Sequence, residues 1–208
     1  MILGISGSPR SNMITETAVK AILEQCTQET KFVSLKGKKI AGCISCLLCA
    51  SDNVCKVQDD FNEIADLIVK AEAIVIGIPN YYDMPNALSH ALLERMFCFR
   101  HQGKFLLENK PVIFFSTGYA VDENNSQVLN LIEKFITSNK MQILDRFLIK
   151  GYSQCFSCGL GNHCLDGNVV KQFGVVDKIT EDMLPKTFNQ QNTAVLRCQK
   201  AAALLNNL

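Results

Sequence analysis

Three things are scarce in this chain of 208 residues: surplus charge, unbroken apolar runs and glycine-rich nucleotide motifs. Its 21 Lys and Arg nearly cancel 20 Asp and Glu, leaving +1. The electrostatic footprint of a nucleic-acid binder is therefore missing. Nearly half the residues are hydrophobic, yet charged or polar residues interrupt every long apolar run. None approaches the ~20 residues of a membrane span. Neither G-x-x-x-x-G-K-[ST] nor G-x-G-x-x-G follows the first strand. No internal repeat or low-complexity tract is present. The start, Met1-Ile-Leu-Gly-Ile-Ser6, reads as a strand without the basic stretch and cleavage site of a signal peptide. One domain over 1–208, with a full core, is the expectation.

What is abundant is cysteine, ten in all. In a mid-sized chain without a signal sequence this points to metal or redox use rather than a disulfide scaffold. The expected setting is the cytoplasm of an organism with an anaerobic or microaerobic life. Four thiols fall together in Cys43-Ile-Ser-Cys46-Leu-Leu-Cys49-Ala-Ser-Asp-Asn-Val-Cys55, a C-x2-C-x2-C-x5-C run. A cubane cluster needs four converging thiolates. Tetrahedral zinc accepts four as well, but usually from two C-x2-C knuckles far apart in sequence. The spacing favours a [4Fe–4S] cluster on Cys43, Cys46, Cys49 and Cys55; zinc and redox-active thiols or disulfides are the other readings. Lys56 follows Cys55 where the two-cluster ferredoxin run has proline, so one local cluster is the simpler reading. Ile44, Leu47 and Leu48 are expected to shield it from water.

Apolar runs alternate with helix-period stretches along the rest of the chain. Strands are expected at about Ile2–Ser6, Phe32–Ser34, Ala73–Ile78, Pro111–Ser116 and Gln142–Lys150. Helices are expected at about Thr15–Cys26, from Asp59 onward with Asp60 and Glu63 as a capping box, and at Pro85–Phe97, Ser126–Ser138 and Thr193–Leu205. Five buried strands with intervening helices predict an α/β fold with a doubly wound, five-stranded parallel sheet. In a flavodoxin-like order, 2-1-3-4-5, the cysteine-rich loop 43–55 follows strand two. Ligands of such sheets bind at the carboxyl ends of the strands.

The first strand runs into Ser6-Gly7-Ser8-Pro9-Arg10-Ser11-Asn12-Met13-Ile14-Thr15 and then a helix. Free amides at a helix start, hydroxyls and one Arg make an anion site suited to a single phosphate monoester. An ordinary Ser/Gly/Pro turn with Thr15 as helix cap is the alternative. Ile78-Pro79-Asn80-Tyr81-Tyr82-Asp83 and Ser116-Thr117-Gly118-Tyr119 leave two further strands at the same edge. Aromatics and backbone amides beside a phosphate site suit a flat isoalloxazine ring, though tyrosines also pack readily at loop ends.

Gly-Ser-Pro-Arg after strand one, four clustered cysteines before Asp-Asp, and Pro-x-Tyr after strand three together resemble the iron–sulfur flavoprotein family. That family lies within the NADPH-dependent FMN reductase and flavodoxin-like superfamily. The resemblance covers about residues 1–120. It implies FMN and a [4Fe–4S] cluster, in a homodimer or homotetramer that brings the two close across an interface. It assigns Ser8, Pro9, Arg10, Ser11, Met13, Ile14 and Thr15 to the phosphate loop. Pro79, Asn80, Tyr81 and Tyr82, with Ser116, Thr117 and Gly118, are assigned to the ring side. Ile14 stands where the family loop commonly has Asn. His90 and then Glu94-Arg95 stand where the family often has Lys and then Asp-Arg.

A second group, Cys155-Phe-Ser-Cys158-Gly-Leu-Gly-Asn-His163-Cys164, follows strand five in the loop 155–164. Three thiols and an imidazole would satisfy zinc; buried reduced cysteines or a redox-active Cys155–Cys158 pair are the alternatives. Opposite sheet edges are expected to keep the two groups apart. Cys26, Cys98 and Cys198 read as packing residues, and His90 and His101 as structural. The functional expectation is an electron-transfer oxidoreductase coupling a [4Fe–4S] cluster to FMN. Its donor would be ferredoxin-like and its acceptor a small molecule, with no nucleic acid or membrane involved. No side-chain nucleophile or general acid is evident, and none is needed. The rivals are an NAD(P)H-dependent FMN or quinone reductase with structural metal, and a non-enzymatic flavodoxin-like carrier or sensor.

Overall fold

The computed structural model describes residues 1–119 and 122–208. Strand β1 (Ile2–Ser6) leads to α1 (Ile14–Leu23) and β2 (Thr30–Ser34). After the cysteine loop come α2 (Phe61–Lys70), β3 (Ala73–Tyr81), β4 (Met84–Pro85) and α3 (Ala87–Arg95). Then follow β5 (Pro111–Gly118), α4 (Gln127–Ser138), β6 (Gln142–Lys150), the short α5 (Asn168–Phe173) and α6 (Asn192–Asn206).

The parallel path is β2-β1-β3-β5-β6, with β4 antiparallel to β3. The sheet thus has six strands rather than the expected five, and the sequence's fifth strand is the sixth. The extra strand arises because β3 runs on to Tyr81 and folds back. Tyr82 and Asp83 take positive φ, 55° and 59°, as the tight hairpin requires.

Period-two alternation splits the strands between two cores. Leu3, Ile5, Ile74, Ile76, Val112 and Phe114 face α2, α3 and α4. Ile2, Val75, Ile113, Phe115 and Phe147 face α1 and α6. With both faces covered, the central strands are apolar throughout, as their sequence runs suggested. This is a flavodoxin-like α/β fold.

The expected capping box on α2 does not form. Asp60 is itself helical and makes no cap bond; its carboxylate accepts from the Lys39 amide at 2.6 Å. Asp59 caps instead, accepting from the Phe61 amide at 3.0 Å. Helix α3 is shorter than expected, ending at Arg95 before one tight turn over Met96–Phe99. No helix among the described residues is long and apolar enough to cross a membrane.

Candidate flavin cavity and cysteine loop

The first β–α turn is shaped by what cannot fit there. A Cβ on Gly7 would lie 1.9 Å from Ser89 Oγ, so only glycine allows the chain this close to α3. The turn is then tied down: Gly7 N–H donates to Gly77 O at 2.8 Å and Asn86 Nδ2 to Gly7 O at 2.9 Å. Ser8 Oγ donates to Arg10 O at 2.8 Å and accepts from Arg10 N–H at 3.1 Å. Helix α1 starts after Met13, which provides no side-chain cap. Its first amides, at Ile14, Thr15 and Glu16, precede the first helical bond, Thr17 N–H to Met13 O. Arg10 Nε is buried without a partner. An uncapped helix start and an unmatched guanidinium nitrogen at one mouth suit a phosphate group. Thr15 is not a cap; its Oγ1 is hydrogen-bonded to Thr117 Oγ1 at 2.6 Å, joining α1 to β5.

Above this turn lies a cavity of about 490 Å³, the size of a cofactor site. Twelve of the fourteen residues expected around a flavin line it: Ser8, Pro9, Arg10, Met13, Ile14, Thr15, Pro79, Asn80, Tyr81, Tyr82, Thr117 and Gly118. Two do not. Ser11 faces outward, accepting from Lys36 Nζ at 3.0 Å. Ser116 is buried within β5 and donates to Ile78 O at 2.9 Å. The wall that the sequence left unassigned is Tyr119, Gly151, Tyr152, Ser153, Gln154 and Asn168. It follows from the parallel pairing of β5 with β6, which sets Gly118 opposite Lys150.

The cysteine loop is built differently. Cys43, Cys46, Cys49 and Cys55 line one small hollow, roofed by Arg95, Phe97 and Cys98. Positive φ at Ser45 and Leu47, 54° and 57°, curls the chain between the thiols. Cys49 is buried while Cys43 and Cys46 are exposed. Burial pushes the Cys49 thiol up, with further upward push from Cys55, Cys46 and Cys43 nearby. Burial pushes Cys98 up to about 12, so this thiol stays protonated. His101 Nε2 lies 3.2 Å from Cys49 Sγ, so His101, read from sequence as structural, touches the cysteine loop.

Among the described residues, no group of three or more His, Cys, Asp or Glu is gathered tightly enough for a single metal ion. The donor chemistry still fits a cubane, whose four thiolates stand around a cluster rather than on one ion. The hollow holds about 20 Å³, room for one water. Of the residues expected as a shield, Ile44 and Leu47 line the hollow while staying 66% and 60% exposed, and Leu48, 59% exposed, does not line it.

The second cysteine group sits beyond β6, on the sheet edge opposite β2. Cys155 Sγ accepts from the Asn168 amide at 3.3 Å, and Cys158 Sγ from the Leu160 amide at 3.4 Å. The Ser153 hydroxyl, and then the Asn168 amide, hold the Cys155 thiol below its ordinary value. The loop also meets the cavity rim, where Gln154 Nε2 donates to Tyr81 Oη at 3.4 Å.

Known proteins share both the sequence pattern and the architecture. The family model for NADPH-dependent FMN reductase matches residues 1–153. An iron–sulfur flavoprotein of Methanocaldococcus jannaschii is 29% identical over 147 residues, spanning 69% of this chain and 75% of its own. The azoreductase AzrA superposes with TM-score 0.61 at 10% identity, over 100% of this chain and 99% of its own. A flavodoxin from the domain Archaea gives 0.52 at 12%, over 100% and 97%. Both structures speak for the fold alone. The chain belongs to the NADPH-dependent FMN reductase family, alongside the iron–sulfur flavoproteins, and is an FMN-dependent oxidoreductase.

Proposed function

We propose that the chain is an iron–sulfur flavoprotein that passes single electrons from a ferredoxin-like donor, through a [4Fe–4S] cluster, to FMN and a small-molecule acceptor. The observation that carries this reading is the placement of the two sites. Ile40 and Gly42, which lead into the cysteines, share one surface groove with Tyr81 and Tyr82 of the flavin cavity.

FMN supplies one- and two-electron chemistry and the cluster one-electron steps; the residues hold and orient them. Arg10 and the α1 amides are assigned to the phosphate, and the Thr15–Thr117 bond fixes that end of the cavity. Asn80 to Tyr82 and Thr117 to Gly118 are assigned to the ring. Cys43, Cys46, Cys49 and Cys55 are assigned to the cluster. Cys155, Cys158 and Cys164 are assigned to no cluster. Ile44, Leu47 and Leu48, with Tyr82 at 96% exposure, support a homodimer or homotetramer that covers them.

The family match favours a second reading, an NAD(P)H-dependent FMN or quinone reductase whose cysteines hold structural metal. Anaerobic purification followed by iron, sulfide, zinc and FMN assays separates the two. About four irons and four sulfides per FMN are expected. Zinc without acid-labile sulfide, together with steady NAD(P)H turnover, would overturn the proposal in favour of the reductase.

A further inference from the structure

Arg95 is the largest fully buried side chain. A guanidinium removed from water is costly unless its donors are met. Here they are met on three sides. Nη1 donates to Ala41 O at 3.0 Å and Asp59 Oδ2 at 2.7 Å. Nη2 donates to Val57 O and Asp59 Oδ1, both at 3.2 Å. Nε donates to Cys55 Sγ at 3.2 Å. The guanidinium carbon stands 4.5 Å from the centre of the Phe61 ring. Asp59 also accepts from the Ala41 amide at 3.0 Å. One ion pair therefore grips the segment entering the cysteine loop and the segment leaving it. Two carbonyls and a carboxylate suffice for that grip, and the Nε bond to sulfur is additional.

We infer that Arg95 sets the redox potential of the cysteine loop, donating from Nε to the Cys55 sulfur while Asp59 offsets its charge. The inference rests on the cluster reading above. One electron taken from an external donor adds one negative charge to the cluster and its thiolates. A hydrogen bond to a ligating sulfur stabilises that added charge more than the oxidised form, and so raises the potential. Lysine cannot replace Arg95, because it has neither the planar fork nor an Nε donor.

The test uses the full chain, purified anaerobically with FMN, as wild type, Arg95→Lys and Asp59→Asn. Iron, sulfide and FMN are counted, and the cluster is titrated with dithionite under EPR. Arg95→Lys is expected to keep FMN and to titrate lower. Its reduced-to-oxidised ratio at the wild-type midpoint should fall about tenfold, equivalent to ~59 mV for one electron. Asp59→Asn keeps the Nε donor but removes the offsetting charge, so its midpoint should rise. A residue that only closed the loop would lower iron content in both variants and leave the surviving midpoints in place. If one variant loses its iron, the sign of the shift in the other decides. Unmoved midpoints, shifts in the same direction, or loss of all iron from both variants with FMN retained would overturn this inference alone. Wild-type protein without iron and sulfide would overturn it together with the proposed function.

Discussion

The flavin cavity and the cysteine loop lie on one edge of the sheet but are made of different materials. The cavity is framed by main chain. Its floor is the ends of paired parallel strands, and its turn is held by glycine and backbone bonds. Its volume is roughly 490 Å³. The loop has no ladder and is pinned at its two feet by Arg95 and Asp59. Its hollow is only about 20 Å³. Ladder hydrogen bonds fix the one; a few side-chain bonds fix the other.

The sharpest break of this comparison is single replacement of Cys43, Cys46, Cys49 or Cys55 by Ala. Each change should abolish most of the iron and sulfide while FMN binding stays, because the cavity's frame is elsewhere. Concurrent loss of FMN in a folded variant would show that the two sites are one unit. Next in size is Arg10→Ala combined with Thr15→Ala. Loss of the Arg10 charge-assisted bond, ~1–3 kcal/mol, together with the Thr15–Thr117 tie should raise the FMN dissociation constant about tenfold, with iron content unchanged. Fluorescence titration of FMN reads this directly, and an unchanged affinity would remove the phosphate assignment. Smallest is the triple change of Cys155, Cys158 and Cys164 to Ser. The main iron–sulfur EPR signal should not move, since these thiols lie past the opposite edge strand. Its disappearance from a folded protein would mean that subunits share a metal.

The sheet was readable because β1, β3 and β5 are largely apolar runs of strand length, and β6 carries Ile143, Leu144 and Phe147 to Ile149, all separated by helix-period stretches. Strand β4 was not, because its hairpin turn uses Tyr82 and Asp83 at positive φ where a glycine would have signalled it. Twelve cavity residues could be named because they follow strands in the chain. The far wall could not, since Gly151 to Gln154 and Asn168 enter a stretch whose loudest signal is cysteine. Arg95 was passed over for a different reason. Helical period alone places an arginine on the solvent side, and its partner Asp59 lies 36 positions earlier. Nothing local announces that pairing. Of Ile44, Leu47 and Leu48, the first two line the hollow and Leu48 does not, because hydrophobicity does not say which way a loop side chain turns.

The reach of Arg95 also bears on how the protein is made. Its contact with Ala41 spans 54 positions, and the thiols lie inside that span. During synthesis the chain emerges amino end first, so all four cysteines leave the ribosome before the residue that closes their loop. The loop stays open until α3 has emerged and docked. Arg95 lies in the first half of the 208 residues, so the loop can close while the carboxyl half of the chain is still being made.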